Sequence, residues 1–142
     1  MKLSIATDFS IVTGLRHSSK SEKSGEEFYH TLLNQRFYDA LSNGEDLELD
    51  LDGTLDSYAP SFLDESIGNL VYDFTLDVVK KRLKLLSNRN PSWIKMILEE
   101  TYPQWEDRRK KNDLRKITVH HNDWFHLNNE GQMESGQWAT LN

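Results

Sequence analysis

Acidic side chains flank one short loop in the middle of this sequence, and they are the residues best placed to do chemistry. Asp50 and Asp52 close an apolar–polar alternation that predicts a strand over residues 47–51, and Asp64 and Glu65 lie early in a segment of helical periodicity. Together these carboxylates could bind a divalent cation, because hard cations prefer oxygen ligands. We favour a structural role instead, in which Asp50 and Asp52 hold the loop through Asx-type bonds and Asp64 complements the positive end of the helix.

The predicted helix starts at Ser61. Its spacing to Asp64, S-x-x-D, is a helix start signal, so we expect Ser61 to be the N-cap, with its hydroxyl accepting a hydrogen bond from the N–H of Asp64. The carboxyl end of a strand, a loop (residues 54–60) and a helix start therefore converge. In α/β folds this is where ligands and partners usually bind.

The letters DLDGTLD, from Asp50 to Asp56, resemble the first motif of the haloacid-dehalogenase-type phosphohydrolases. That resemblance implies Mg²⁺-dependent hydrolysis, with Asp50 as nucleophile and Asp52 as general acid. However, that family places the motif on the first core strand, whereas only about ninety residues follow it here, without a GD-x-x-x-D-like run. Since a motif counts only in its structural context, we rank this function third.

A larger part of the chain, roughly Lys2 to Leu98, resembles the STAS-like domain family of unknown function, relatives of the anti-sigma-factor antagonists. The residues that carry the resemblance are Gly14, Arg16, the SGEEF run from Ser24 to Phe28, Asp50 to Gly53, the SFLDE run from Ser61 to Glu65, and Gly68. It implies a regulatory, non-enzymatic module that binds a protein, with a GHKL-type (histidine-kinase-like) ATPase or kinase as the expected partner in a partner-switching system. The alternative is a domain that senses a nucleotide or another small molecule.

The resemblance also implies where such a partner would act. Antagonists carry a phosphorylatable serine at the start of the corresponding helix, which makes Ser61 the phosphoacceptor candidate, although Pro60 and Phe62 depart from the antagonist pattern. The expected partner surface comprises Asp56, Ser57, Tyr58, Ser61, Asp64 and Glu65. Tyr58 is the expected anchor, because a tyrosine offers a large contact area with only two torsions to freeze; the alternative is that Tyr58 folds inward and caps the core.

The elements that position these residues predict an α/β fold: a single STAS-like domain with a mixed four- or five-stranded sheet and about three helices. The predicted strands are Lys2 to Thr7, with Ile11 to Leu15 continuing or pairing with it, then 47–51 and Val79 to Leu85. The last segment read alone could equally be a helix, and the resemblance to the STAS-like family decides in favour of a strand. The predicted helices are Ser24 to Ser42, opened by a Ser24–Glu27 capping box, Ser61 to Phe74, and Pro91 to Lys111, with an end or kink at Pro103. Gly68 inside the second helix predicts close packing of that helix on the sheet.

The chain changes character after about residue 112, so we predict a STAS-like domain over 1–112 and a C-terminal extension over 113–142. The extension contains a possible strand from Ile117 to His121, and its aromatic residues are expected to dock on the same domain. His120, His121 and His126 suggest zinc, but adjacent residues of a strand point to opposite faces, so we expect no metal site and no cofactor.

Composition excludes several classes of protein. A net charge of −6 disfavours a main role on nucleic acid, since phosphate contacts need a basic face. With no cysteine there is no disulfide framework. A mean hydropathy of −0.70 and the lack of a long apolar run predict a cytoplasmic protein without a membrane span.

Overall fold

A three-stranded parallel sheet forms the centre of the fold in the computed structural model, which describes residues 1–141. Its strands are β1 (Lys2–Ser4), β2 (Leu47–Asp50) and β3 (Leu83–Leu86), in the order β1-β2-β3. Leu3 pairs with Leu49, and Leu49 with Leu85. The α/β class is confirmed, but the predicted mixed sheet of four or five strands is wrong: the remaining two strands form a separate antiparallel hairpin.

The first strand is shorter than predicted. A π-helical turn, Ile5–Phe9, follows Ser4 directly. The Ser4 hydroxyl accepts from the Thr7 N–H at 3.1 Å, and the Asp8 carboxylate accepts from the Ser4 N–H at 2.8 Å. Such local side-chain bonds compete with the ladder, so the strand ends early, and Ile11 to Leu15 forms no strand either.

Two of the predicted helices are present nearly as expected. Helix α1 covers residues 25–42, with α-helical parts Gly25–Phe28 and Asn34–Ser42 joined by a π-helical turn, Tyr29–Leu33. The predicted cap is confirmed, since the Ser24 hydroxyl accepts from the Glu27 N–H at 3.0 Å. Helix α2 (Pro60–Phe74) packs against the first turn of α1 and against the helical residues Tyr102–Lys110.

The segment predicted as the strand Val79 to Leu85 divides in two. Residues Leu76–Arg82 form helix α3, and β3 begins only at Leu83. The apolar positions of this segment fit either structure. Val79 is buried within the helical turn whose basic neighbours Lys80 and Lys81 face solvent, so packing decides in favour of a helix.

The third predicted helix does not end at Pro103. Helix α4 covers residues 92–110: Ser92–Met96, a π-helical turn Ile97–Thr101, and Tyr102–Lys110. The Tyr102 N–H bonds to the Ile97 carbonyl, five residues back. A proline lacks an N–H and crowds the carbonyl of the preceding turn, and the wider π-helical turn accommodates it without ending the helix.

The C-terminal residues form a hairpin of β4 (Trp124–Leu127) and β5 (Met133–Gly136). It packs against α1, where the Asn34 side chain bonds to both the N–H and the carbonyl of Phe125 at 2.9 Å. Trp124 is buried. The predicted strand Ile117 to His121 reduces to a single bridge between Ile117 and Leu141. Within residues 1–141, no helix has both the length and the apolar character needed to cross a membrane.

Candidate functional site

Asp50, the last residue of β2, and Asp52 hold the following loop together. The Asp50 carboxylate accepts from the N–H of Asp52 at 2.9 Å, and the Asp52 carboxylate accepts from the Ser87 hydroxyl at 2.8 Å and the Asn88 N–H at 2.6 Å. Desolvation opposes ionisation of Asp52, but these donors outweigh it and hold its pKa below the usual value. Asp52 therefore ties the end of β2 to the turn after β3. In the part of the chain that the structure describes, no group of three acidic or histidine side chains is arranged to hold a metal ion.

Ser61 does not cap its helix. Helix α2 begins at Pro60, Ala59 occupies the cap position, and no side chain bonds to the free N–H groups there. Proline at the first helical position sets the start one residue earlier than the S-x-x-D signal predicts. The capping role predicted for Ser61 is therefore wrong, and its half-buried hydroxyl makes no hydrogen bond within residues 1–141.

Arg16 links the loop before α1 to the acidic residues of α2. Its guanidinium donates to Asp64 at 2.8 Å and to Glu65 at 3.1 Å, and His17 lies 3.7 Å from Glu65. Glu65 is buried, and desolvation raises its pKa although Asn69, His17 and Arg16 work against the rise. We predicted Glu65 as a partner contact, but it lies inside the domain, whereas Asp64 remains partly accessible.

An open cleft of about 200 Å³ lies at the start of α2. Arg16, Ser61 and Asp64 form one side of it, and α4 contributes the other side through Met96, Glu100 and Gln104. The cleft thus combines a hydroxyl without a partner, a guanidinium and acidic side chains at a helix start. Of the predicted site residues, the structure brings Ser61 and Asp64 together in this cleft.

Tyr58 lies in the core and not on the surface. Its hydroxyl donates to the Leu51 carbonyl at 2.7 Å, and its ring packs against Phe62 and Trp93 with centroids 5.6 and 4.7 Å away. Burial raises its pKa. The prediction of an exposed tyrosine anchor is therefore wrong. The accessible apolar residue of the loop is Leu55, 68% exposed beside Asp56 and Ser57, which the sequence reasoning does not find.

A buried polar network joins the C-terminal residues to the helices. The Glu26 carboxylate accepts from the Thr118 N–H at 2.9 Å and the Ser18 N–H at 3.0 Å, and lies 2.7 Å from His121 Nε2. Desolvation opposes ionisation of Glu26, but the bonds to His121, Thr118 and Ser18 lower its pKa to about 2.

A second buried polar network is centred on Asp73. Its carboxylate accepts from the Tyr29 hydroxyl, from Arg115 at 2.8 Å and from the Trp124 indole at 3.1 Å. His121 faces Glu26 while His120 is exposed and His126 packs on Trp138, so the three histidines do not converge on a metal. No local sequence pattern indicates these two networks, because their members are far apart in the chain.

Residues 24–93 match the family model described as a STAS-like domain of unknown function (DUF4325). The predicted family is confirmed, and this segment of the chain is a STAS-like domain with an α/β fold. Domains of this family are generally non-catalytic. Comparisons with curated proteins and with solved structures gave no match.

Proposed function

We propose that this chain is a regulatory module that binds a protein partner through residues 54–57 and the cleft at the start of α2. The observation that supports the proposal best is the Ser61 hydroxyl, which lies without a hydrogen-bond partner beside Arg16. The family assignment supports a regulatory role of this general kind. Asp56 and Ser57 are exposed next to Leu55, so the surface offers polar contacts around one apolar side chain.

Phosphorylation of Ser61 would change this surface strongly. A phosphoserine adds between about −1.5 and −2 charges at pH 7 and three acceptor oxygens. Ser61 lies in the first turn of a 15-residue helix, where free N–H groups and the helix dipole favour an anion. The phosphate would compete with Asp64 for Arg16 and would meet repulsion from Asp64 and Glu100 across the cleft. The modified module would therefore present a different charge pattern to its partner.

The proposed partner is a GHKL-type ATPase or kinase, and one encoded beside this gene is the first to test. We expect Ser61→Ala to bind it and Ser61→Asp to lose binding. Ser135→Asp is the matched control, because Ser135 is exposed on β5, outside the cleft. Titration calorimetry measures the affinities. Binding of Ser61→Asp at wild-type affinity would contradict the phosphorylation switch.

The stability of the Ser61 variants separates regulation from folding. Because the hydroxyl caps nothing, Ser61→Ala should change the free energy of unfolding by no more than about 0.5 kcal/mol, as expected for a surface position. A decrease in the free energy of unfolding of ~1 kcal/mol, as for loss of an N-cap, would indicate that Ser61 does cap the helix, contrary to the structure.

A second candidate function, sensing of a nucleotide or another small molecule, is supported by a polar pocket of about 250 Å³. It lies beyond the carboxyl ends of β2 and β3 and includes Thr54, Ser57, Arg89 and Trp93, which offer hydroxyls, a cation and an aromatic face. Calorimetric titration with ATP and GTP tests this function. Binding that Arg89→Ala abolishes would favour the sensor over the protein-binding module.

Magnesium-dependent phosphatase activity is the third possibility, and we expect none. The Asp52 carboxylate, which would be the general acid, is engaged by Ser87 and Asn88. Turnover of p-nitrophenyl phosphate with Mg²⁺ that disappears in Asp50→Asn would overturn this expectation.

A further inference from the structure

A second surface, separate from the Ser61 cleft, lies along the outer edge of β3. Leu83, Leu85 and Leu86 of β3 and Ile94, Leu98 and Tyr102 of α4 line an open groove of about 400 Å³, the β3 groove. Leu86 is 43% exposed and Leu98 is 50% exposed. The groove is therefore an apolar surface that the domain itself leaves open.

The floor of the β3 groove is a free strand edge. The Leu86 carbonyl accepts from the Leu51 N–H at 2.9 Å, which turns the backbone groups of Leu86 toward β2. Backbone groups alternate in direction along a strand, so those of Leu85 point away from β2. β3 is the last strand of the sheet, and no backbone group from elsewhere in residues 1–141 bonds to Leu85 on that side. An extended segment could add there as a further strand.

The rim of the β3 groove is basic although the chain as a whole is acidic. Lys80 and Lys84 line it, and the exposed Lys81 lies between them in sequence. Within residues 1–141 none of these three lysines forms an ion pair, and the Lys84 ammonium bonds only to the Lys81 carbonyl at 3.1 Å. Against a net charge of −6, this local positive charge selects for negative charge in an occupant.

We propose that the β3 groove binds an extended segment of a partner protein in which apolar and acidic residues alternate. The apolar side chains would contact Ile94 and Leu98, the acidic ones would face Lys80 and Lys84, and the backbone would bond to Leu85. A second copy of this chain fits poorly, because pairing two β3 edges brings their basic residues together, and like charges across strands are destabilising.

The β3 groove is a different binding surface from the Ser61 cleft of the proposed function, because the two lie on different sides of α4. Ile94, Leu98 and Tyr102 are spaced by four residues and face the β3 groove, whereas Met96, Glu100 and Gln104 face the Ser61 cleft. Residues two apart on a helix differ by about 200° around its axis. Both surfaces can therefore be occupied at once.

The test uses the full chain and a fluorescein-labelled decapeptide that alternates valine or leucine with glutamate, with a peptide carrying lysine for glutamate as its control. Fluorescence anisotropy should show the acidic peptide binding at least about tenfold more tightly than the basic one, with an affinity that falls as salt is added. Hydrogen exchange should show protection of the Leu85 amide by the acidic peptide. Equal binding of the two peptides, or no binding of either, would overturn the proposal.

Two pairs of variants locate the binding. Leu98→Asp should abolish it, while Leu114→Asp, at a position 91% exposed and outside the groove, should not. Lys84→Glu should reverse the preference between the peptides, whereas Lys116→Glu should leave it unchanged, since Lys116 is exposed outside the groove. A dimer in sedimentation that Leu98→Asp dissociates would assign the groove to a second copy and refute the proposal. Because Lys84 is exposed, its variant keeps the test decisive if Leu98→Asp fails to fold.

Discussion

Removal of the Asp73 carboxylate should test directly how much the buried network around it contributes to stability. It is 1% exposed, and its carboxylate accepts from the Tyr29 hydroxyl, from Arg115 and from the Trp124 indole. The Arg115 side chain is itself only 3% exposed. Asp73→Ala would leave a buried guanidinium without its counter-charge, and loss of one partner of such a pair costs about 3–5 kcal/mol. That is a large part of the 5–15 kcal/mol that typically stabilises a domain.

Urea denaturation of the full chain measures this loss. Tryptophan fluorescence reports on four tryptophans, of which Trp124 and Trp138 lie in the C-terminal residues, and far-ultraviolet circular dichroism reports on the helices. The matched control is Asp107→Ala, whose pair with Lys111 is exposed on both sides and should contribute almost nothing. Adding Arg115→Met to Asp73→Ala should cost less than the two single losses together, because it removes the orphaned charge.

Two results would refute this reasoning. A midpoint for Asp73→Ala no lower than that of Asp107→Ala would mean that the network contributes nothing to stability. If instead the fluorescence changed at low urea while the helices melted as in the wild type, Asp73 would hold only the C-terminal residues and the rest would fold without them. Coincident transitions are the expected result, because Trp124 packs within the main core.

Three further predictions follow from buried contacts. Gly68→Ala should lower the melting temperature, since a Cβ there would lie 2.2 Å from the Trp105 ring, and the overpacking of about 1–3 kcal/mol outweighs the gain in helix propensity; a higher melting temperature would contradict this. Burial, with His121 and Arg115 nearby, lowers the pKa of His30 to about 3 from 6.5, so the unfolded state binds the proton first and stability should fall as pH drops below 6.5. A thermal-melt series from pH 7 to pH 5 should show a steeper slope in the wild type than in His30→Phe, because desolvation also lowers the pKa of His126 and leaves part of the slope in the variant. Tyr58→Ala should lower the free energy of unfolding, measured by urea denaturation, by about 3–5 kcal/mol, as truncation of a buried aromatic residue does. A near-wild-type midpoint would show that Tyr58 is not part of the core.

Local sequence signals predicted much of the scaffold correctly. The cap at Ser24 and the alternation in 47–51 each involve neighbouring residues, and the structure contains the helix and strand that they predict. The resemblance to the STAS-like family, drawn from motifs between Lys2 and Leu98, is confirmed by the match over residues 24–93. The close packing predicted at Gly68 is present, but against Trp105 of α4 and not against the sheet.

The predicted helix and strand boundaries were wrong where two local sequence signals competed. At the start of α2, the S-x-x-D signal and the proline before it predict different first residues, and the fixed torsion of Pro60 prevails. In 79–85 the apolar pattern fits either a helix or a strand, and in 2–7 the side chains of Ser4 and Asp8 end the strand. Neighbouring residues cannot resolve such conflicts, because the deciding energy comes from burial against other elements.

The sequence by itself determined the order of the main helices, the central strand with its aspartates, and the family. Only the tertiary structure decided that Tyr58 is buried, that Ser61 lies beside Arg16 in a cleft, and that Glu26 and Asp73 bind residues near the C-terminus. Glu26 and Thr118 are 92 positions apart, and Asp73 and Arg115 are 42 apart. A buried charge is stable only when its partner lies within hydrogen-bond distance, and no pattern of neighbouring residues specifies which distant side chain the folded chain will bring there.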